Sequence, residues 1–211
     1  LVMHEQDSDD HNIPKILWYG IESIINSNPD KALRFASASK IHSITRYIAR
    51  RLTVSNQLKD LVDEIGKNSN SRDLLLLGML DGLEGRIDIN APKNWKKVYQ
   101  KLRMSGGENS FLALQISLQF GDAVAAETLL ETLRNKNSSI EDRRKAIRGL
   151  TDQKHPELKP ELIALFKDEI LRKDAIRAVA SYNDPALGKI LLDYYSIFPA
   201  DDKLEIVNSL A

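Results

Sequence analysis

The chain has 211 residues, of which 42% are hydrophobic and 28% charged, a balance that suits a folded soluble protein and argues against disorder. Thirty Lys and Arg cancel thirty Asp and Glu, so no net field favours nucleic acid or another polyanion. Without cysteine there are no disulfides, thiolate ligands or thiolate nucleophiles.

The longest apolar run, Leu74 to Leu80, is far short of the roughly 20 residues a membrane span needs, so no membrane insertion is expected. The chain opens at Leu1 without a basic leader and stops abruptly after "DDKLEIVNSLA", which reads as a piece of a longer protein.

Apolar residues recur at the helical period nearly everywhere, and no stretch sustains the alternation of a strand. The first predicted helix carries Ile13, Ile16, Leu17, Gly20, Ile21, Ile24 and Ile25 on one face, with Pro14 in the first turn. Twelve more are predicted near 30–37, 40–53, 55–66, 71–84, 94–104, 109–120, 122–135, 140–151, 156–166, 169–181, 184–197 and 201–210. The run "LLLLGMLDGL" at Leu74 to Leu83 is apolar all round, which predicts a helix covered by neighbours that Gly78 and Gly82 allow to come close. "MSGGEN" at Met104 to Asn109 lacks the Gly-Lys-Ser/Thr ending of a phosphate loop and reads as a plain interhelical turn.

Internal repetition selects a solenoid over a bundle. "AIRGL" at Ala146 to Leu150 returns as "AIRAV" at Ala175 to Val179, and "HPELKPELI" at His155 to Ile163 returns as "DPALGKILL" at Asp184 to Leu192, both 29 residues on. "ALQISLQFGDAVAAETLL", Ala113 to Leu130, aligns without gaps on Ala175 to Leu192, so Leu129 and Leu130 fall on Leu191 and Leu192. Two helices per unit of about 30 residues predict an all-α, α-α superhelix over the whole chain, each hairpin hiding its apolar face by stacking on its neighbours. In the best-defined unit Leu171, Ala175 and Val179 form the predicted inward stripe, and Arg172 falls off it, where its loss should cost little.

Residues Asp168 to Tyr195 resemble the HEAT-like repeat pattern, carried by Asp168, Arg172, Ala175, Ala178, Asp184, Pro185, Leu187 and Leu191. A narrower resemblance rests on the opening motif His-x-x-Asp-x-x-Asp-x-Asn-x-Pro followed by an aromatic pair, here His4, Asp7, Asp10, Asn12, Pro14, Trp18 and Tyr19, together with "ASASKIHSITRYIARRL". It is to the helical middle region of bacterial membrane-bound dehydrogenases, which lies between a sugar-dehydrogenase-like β-propeller and a c-type cytochrome domain. That resemblance implies a non-catalytic scaffold without cofactor, partnered by other domains of its own polypeptide or by other proteins, in the periplasm or at the cell envelope.

His4, Asp7, Asp10 and His11 offer the imidazole and carboxylate ligands of a Zn²⁺ or Mn²⁺ site, but the same residue types close helix starts, and Asn12 stands where an EF-hand needs glycine. The reading adopted is a metal-free hydrogen-bonded loop, structural or partner-facing, in which Asp10 or Asn12 caps the Pro14 helix. Trp18 and Tyr19 lie beside the Ile stripe and are expected to pack on the next hairpin. Most of Arg46, Arg50, Arg143 and Arg144, from "RYIARR" and "DRRKAIR", are expected to be solvated or paired with nearby Asp and Glu, and a row of them along one ridge is a possible interaction surface for an acidic partner. No Ser or Thr has a recognisable motif with His4, His11, His42 or His155, so no catalytic residue is assigned. The rival reading, a HEAT-like DNA-repair glycosylase with phosphate contacts from "RYIARR", "NWKKVYQKLR" and "DRRKAIR", is opposed by the zero net charge.

Overall fold

A computed structural model describes residues 5–67, 70–86 and 89–210. Among them are a 3₁₀ turn, Glu5–Asp7, thirteen α-helices and no strand. The helices are α1 Ile13–Ile25, α2 Pro29–Ala38, α3 His42–Val54, α4 Leu58–Gly66, α5 Arg72–Leu83, α6 Trp95–Ser105, α7 Gly107–Gln119, α8 Ala123–Arg134, α9 Ile140–Asp152, α10 Leu158–Leu165, α11 Arg172–Ser181, α12 Pro185–Tyr195 and α13 Ala200–Leu210. Every predicted helix is present, and the fold class is the all-α helical-hairpin solenoid.

The chain forms two compact units, Leu1–Gly121 and Asp122–Ala211. In the first, α1, α3, α5 and α7 pack successively in one row and α2, α4 and α6 in another. The tightest contact is α3 against α5. A methyl group on Gly78 would lie 2.2 Å from the Arg46 carbonyl oxygen, and one on Gly82 2.6 Å from Thr53 Cβ. Backbone therefore touches backbone where only hydrogen fits, and Leu75, Leu76, Met79 and Leu83 are fully buried around the contact. At the α6–α7 corner Gly106 and Gly107 both take left-handed φ, 66° and 68°, so the paired glycines make the chain reversal predicted for "MSGGEN".

The second unit repeats its burial along with its sequence. Ala146, Ile147 and Leu150 of α9 and Ala175, Ile176 and Val179 of α11 are all buried, α9, α11 and α13 pack in order, and α10 packs on α12. Leu171, Ala175 and Val179 lie in the core as predicted. The longer alignment holds for Leu129 and Leu191, both buried, but fails at its end: Leu130 is 1% exposed and Leu192 57%.

Arginines at the starts of row helices clasp the preceding helix. Arg72 of α5 donates from Nε to the Ile65 carbonyl at 3.0 Å and from its Nη2 to that of Lys67. Arg143 of α9 donates to the Leu133 carbonyl (2.9 Å) and Arg172 of α11 to the Phe166 carbonyl (2.6 Å). These carbonyls lie in or just after the last turns of α4, α8 and α10, where helices leave acceptors unpaired.

This corrects the expectation for Arg172, which is not a spare surface residue. Besides Phe166, its guanidinium binds Asp202 of α13 and lies 5.4 Å from the Phe198 ring centroid. The long side chain reaches back over the core although its Cα lies off the apolar stripe. The apolar face of α1 is also turned from the predicted one. Pro14, Ile21 and Ile25 are buried, Leu17 and Trp18 half-buried, and Ile16 exposed, because α2 and α3 cover α1 on one side only.

Candidate functional site

The segment before α1 is a capping loop built on one carboxylate. Asp10 Oδ1 accepts from the backbone N–H groups of Asn12 and Ile13, each at 2.8 Å. These two amides, Ile13 foremost, hold the Asp10 carboxyl below the usual carboxylate range. Asn12 occupies the N-cap position without a side-chain cap bond, and its carbonyl takes the first helical hydrogen bond, from the Ile16 amide at 3.0 Å. Of the two capping candidates, then, Asp10 caps. Half-buried Asp7 ends the 3₁₀ turn, its carbonyl accepting from the Asp10 amide (3.3 Å), and the ring nitrogen Nε2 of His11 is 3.5 Å from Lys15 Nζ. His4 lies outside the described residues. Among the described residues no three His, Asp or Glu side chains converge as metal ligands would.

The loop sets the start of α1 and so the direction of its aromatic residues. Trp18 stands edge-on to Tyr47 of α3, ring centroids 5.4 Å apart at 66°. Tyr19, one residue on, is 72% exposed, so the expectation that it would be covered by the next hairpin is corrected. Together they belong to a groove of about 540 Å³ between α1 and α3, lined by Lys15, Trp18, Tyr19 and Glu22 on one side and Tyr47, Arg50, Arg51 and Val54 on the other. Each wall is an i, i+3, i+4, i+7 set, one stripe of one helix.

The four arginines singled out from the basic runs divide. Arg46 makes a two-pronged ion pair with Asp81 of α5 (Nη2 to Oδ1 2.8 Å), which raises its pKa. Arg143 is buried, holding the Leu133 carbonyl and, at 3.4 Å, Asp168. Burial works against ionising Asp168, but the amides of Leu171 and Ile170 and then Arg143 outweigh it and keep its carboxyl below the usual range. Arg144 bonds Asp174 of α11 at 3.0 Å. Arg50 alone of the four has no ion-pair partner among the described residues, and it lies in the α1/α3 groove.

Sequence reasoning found Trp18, Tyr19 and Arg50 but missed Lys15, Glu22, Tyr47, Arg51 and Val54, and so missed that they share one groove. The signal was the matching spacing in the two helices, Lys15 to Glu22 and Tyr47 to Val54. It also missed an acidic groove between α2 and α4, where Asp30, Asp60, Asp63 and Glu64 outnumber Arg34 and Lys67.

Residues 119–211 match the family model for HEAT repeats, a span that takes in the whole second unit and makes it a HEAT-like repeat region. No curated protein and no solved structure matches the chain.

Proposed function

We propose that this chain is a non-catalytic HEAT-like scaffold that holds protein partners on its helix faces. The observation that carries the reading is the α1/α3 groove, where Tyr19 is exposed beside half-buried Trp18 and beside Arg50, which has no ion-pair partner among the described residues, on a frame fixed by buried side chains and ion pairs. Aromatic and arginine side chains held on rigid helices are the residue types that anchor protein interfaces.

In the finer reading, the scaffold belongs to an exported redox protein and sets the spacing between a dehydrogenase propeller and a c-type cytochrome domain, at the periplasmic face or cell envelope. Its support is the opening motif, of which Asp7, Asp10, Asn12, Pro14, Trp18 and Tyr19 form the loop and helix start described above. The test is the product of the complete gene. A haem absorption band, together with loss of electron transfer from propeller to haem when the helical region is deleted and both end domains still work alone, supports it. A complete reading frame without a Cys-x-x-Cys-His haem motif overturns the redox reading and leaves the scaffold reading standing.

The glycosylase reading needs cations free to meet phosphates, yet Arg46, Arg143 and Arg144 each hold a carboxylate of their own unit. A mobility-shift titration with duplex DNA at low salt is expected to show no salt-sensitive micromolar complex.

A further inference from the structure

The α1/α3 groove is specific enough in its chemistry to name what it takes. Three of the eight Trp and Tyr residues of the chain, Trp18, Tyr19 and Tyr47, line it. Its ionisable groups are Lys15, Arg50 and Arg51 against Glu22. Glu22 forms an ion pair with Arg51, its carboxylate 3.6 Å from Nη1, so Arg51 is compensated within the groove. Among the described residues Lys15 meets only His11 and Arg50 has no ion-pair partner, so the groove carries positive charge that its described neighbours do not neutralise.

We propose that this groove docks a short acidic peptide segment of a protein partner, its carboxylates meeting Arg50 and Lys15 and an intervening apolar residue lying on Trp18 and Tyr19. The inference rests on the scaffold reading and names the class of partner that this surface takes. Charge complementarity selects the occupant. A basic segment would meet three cations and one acid, whereas an acidic one supplies acceptors for Arg50 and Lys15, which hold no carboxylate among the described residues. A nucleic acid strand could stack on the same rings, but Glu22 sits among the cations and would repel a phosphate backbone along the same path, while a peptide can present carboxylates to Arg50 and Lys15 alone. The exposed faces of Tyr19 and Val54 give the apolar contact a peptide needs.

The two tryptophans make the test site-resolved. Trp95 is buried and donates its indole N–H to Ser117 Oγ at 2.9 Å, so its indole NMR signal reports on the core, whereas that of Trp18 reports on the groove. The 211-residue chain is titrated with a panel of labelled peptides of about twelve residues in which Asp or Glu alternates with Leu, Phe or Pro. A matched panel carries Lys and Arg in place of the acids, and an oligo-dT of equal length is the third arm. Acidic peptides are expected to bind with Kd on the order of 10 μM, to shift the Trp18 signal and leave that of Trp95 in place, and to bind about tenfold more weakly at high salt.

Arg50→Glu and Tyr19→Ala, both at exposed positions, are expected to weaken binding about tenfold with unchanged melting temperatures. No acidic peptide binding below about 1 mM, equal binding of the basic panel, tighter binding of the oligonucleotide, or indifference to both variants each overturns the proposal. If intact dehydrogenase or cytochrome domains bind the chain with undiminished affinity after Arg50→Glu, the scaffold reading survives and the groove assignment alone falls.

Discussion

Arg172 Nη1 donates to Asp202 Oδ2 at 2.8 Å across the packing of α11 on α13, with the two side chains only 14% and 9% exposed. Such a pair is costly to break from one side, because the survivor keeps its charge in a place without water. Arg172→Ala is therefore expected to destabilise the protein by about 3 kcal/mol, comparable to Val179→Asp in the neighbouring core. Arg172→Ala combined with Asp202→Asn should recover part of the loss. Urea melts of the four proteins check this, and a near-neutral Arg172→Ala would show that the clasp contributes nothing.

The glycines make opposite predictions. Gly78→Ala places a methyl group 2.2 Å from the Arg46 carbonyl oxygen, a backbone atom that cannot swing away. It should force α3 and α5 apart at a cost of about 3 kcal/mol. Gly188→Ala lies within α12 with no atom closer than 4 Å to the added carbon, and should stabilise the protein by about 0.5–1 kcal/mol through helix propensity. Thermal melts of the two variants should move in opposite directions.

Stability should fall on the acid side. Asp168 and Asp184 have carboxyls held low in the folded state, the second chiefly by Lys159. A carboxyl with its folded pKa below its unfolded one stabilises the fold above the unfolded value, near pH 4, and loses that contribution as pH drops through the folded value. Melting temperature should therefore decline below about pH 4 and be flat in this respect above it. Asp184→Asn and Asp168→Asn should each lower the neutral-pH melting temperature and flatten the acid limb. An unchanged acid limb in both would contradict the assignment.

Asp10 should govern the first turn of α1. Asp10→Ala removes the acceptor of two backbone amides, so the amides of Asn12 and Ile13 should exchange faster with solvent while those of α9 and α11 do not change. Asp10→Asn keeps an acceptor oxygen and should restore most of the protection. Melts after chelator dialysis, with and without Zn²⁺, Mn²⁺ or Ca²⁺, are expected to coincide. A stoichiometric metal that raises the melting temperature, with the rise lost in Asp7→Ala, would instead mark a metal site.

The helices were legible because burial follows periodicity. Ala146 and Ala175, Leu158 and Leu187, and Leu162 and Leu191 are 29 residues apart in sequence and alike in burial. Pattern fails where a side chain leaves the neighbourhood of its own Cα. Arg172 reads as a polar residue beside an apolar stripe, yet its length carries the guanidinium to a carbonyl six residues back and a carboxylate thirty residues on. The buried face of α1 was misjudged for another reason, since an isoleucine-rich helix has several candidate faces and the neighbour decides which is covered; Trp18 packs on Tyr47, twenty-nine residues later, as expected, while Ile16 and Tyr19 are left exposed. The groove was hidden because half of each contact lies on the other helix.

The arginine clasps also bear on how such a chain can grow. Arg72, Arg143 and Arg172 each seize a carbonyl oxygen, an atom every residue supplies whatever its side chain. A hairpin copied or deleted whole would bring its own arginine and find an acceptor already waiting at the end of the preceding helix, with no matching substitution needed on the other side. A joint half made of main chain lets units be inserted or removed without re-fitting both faces.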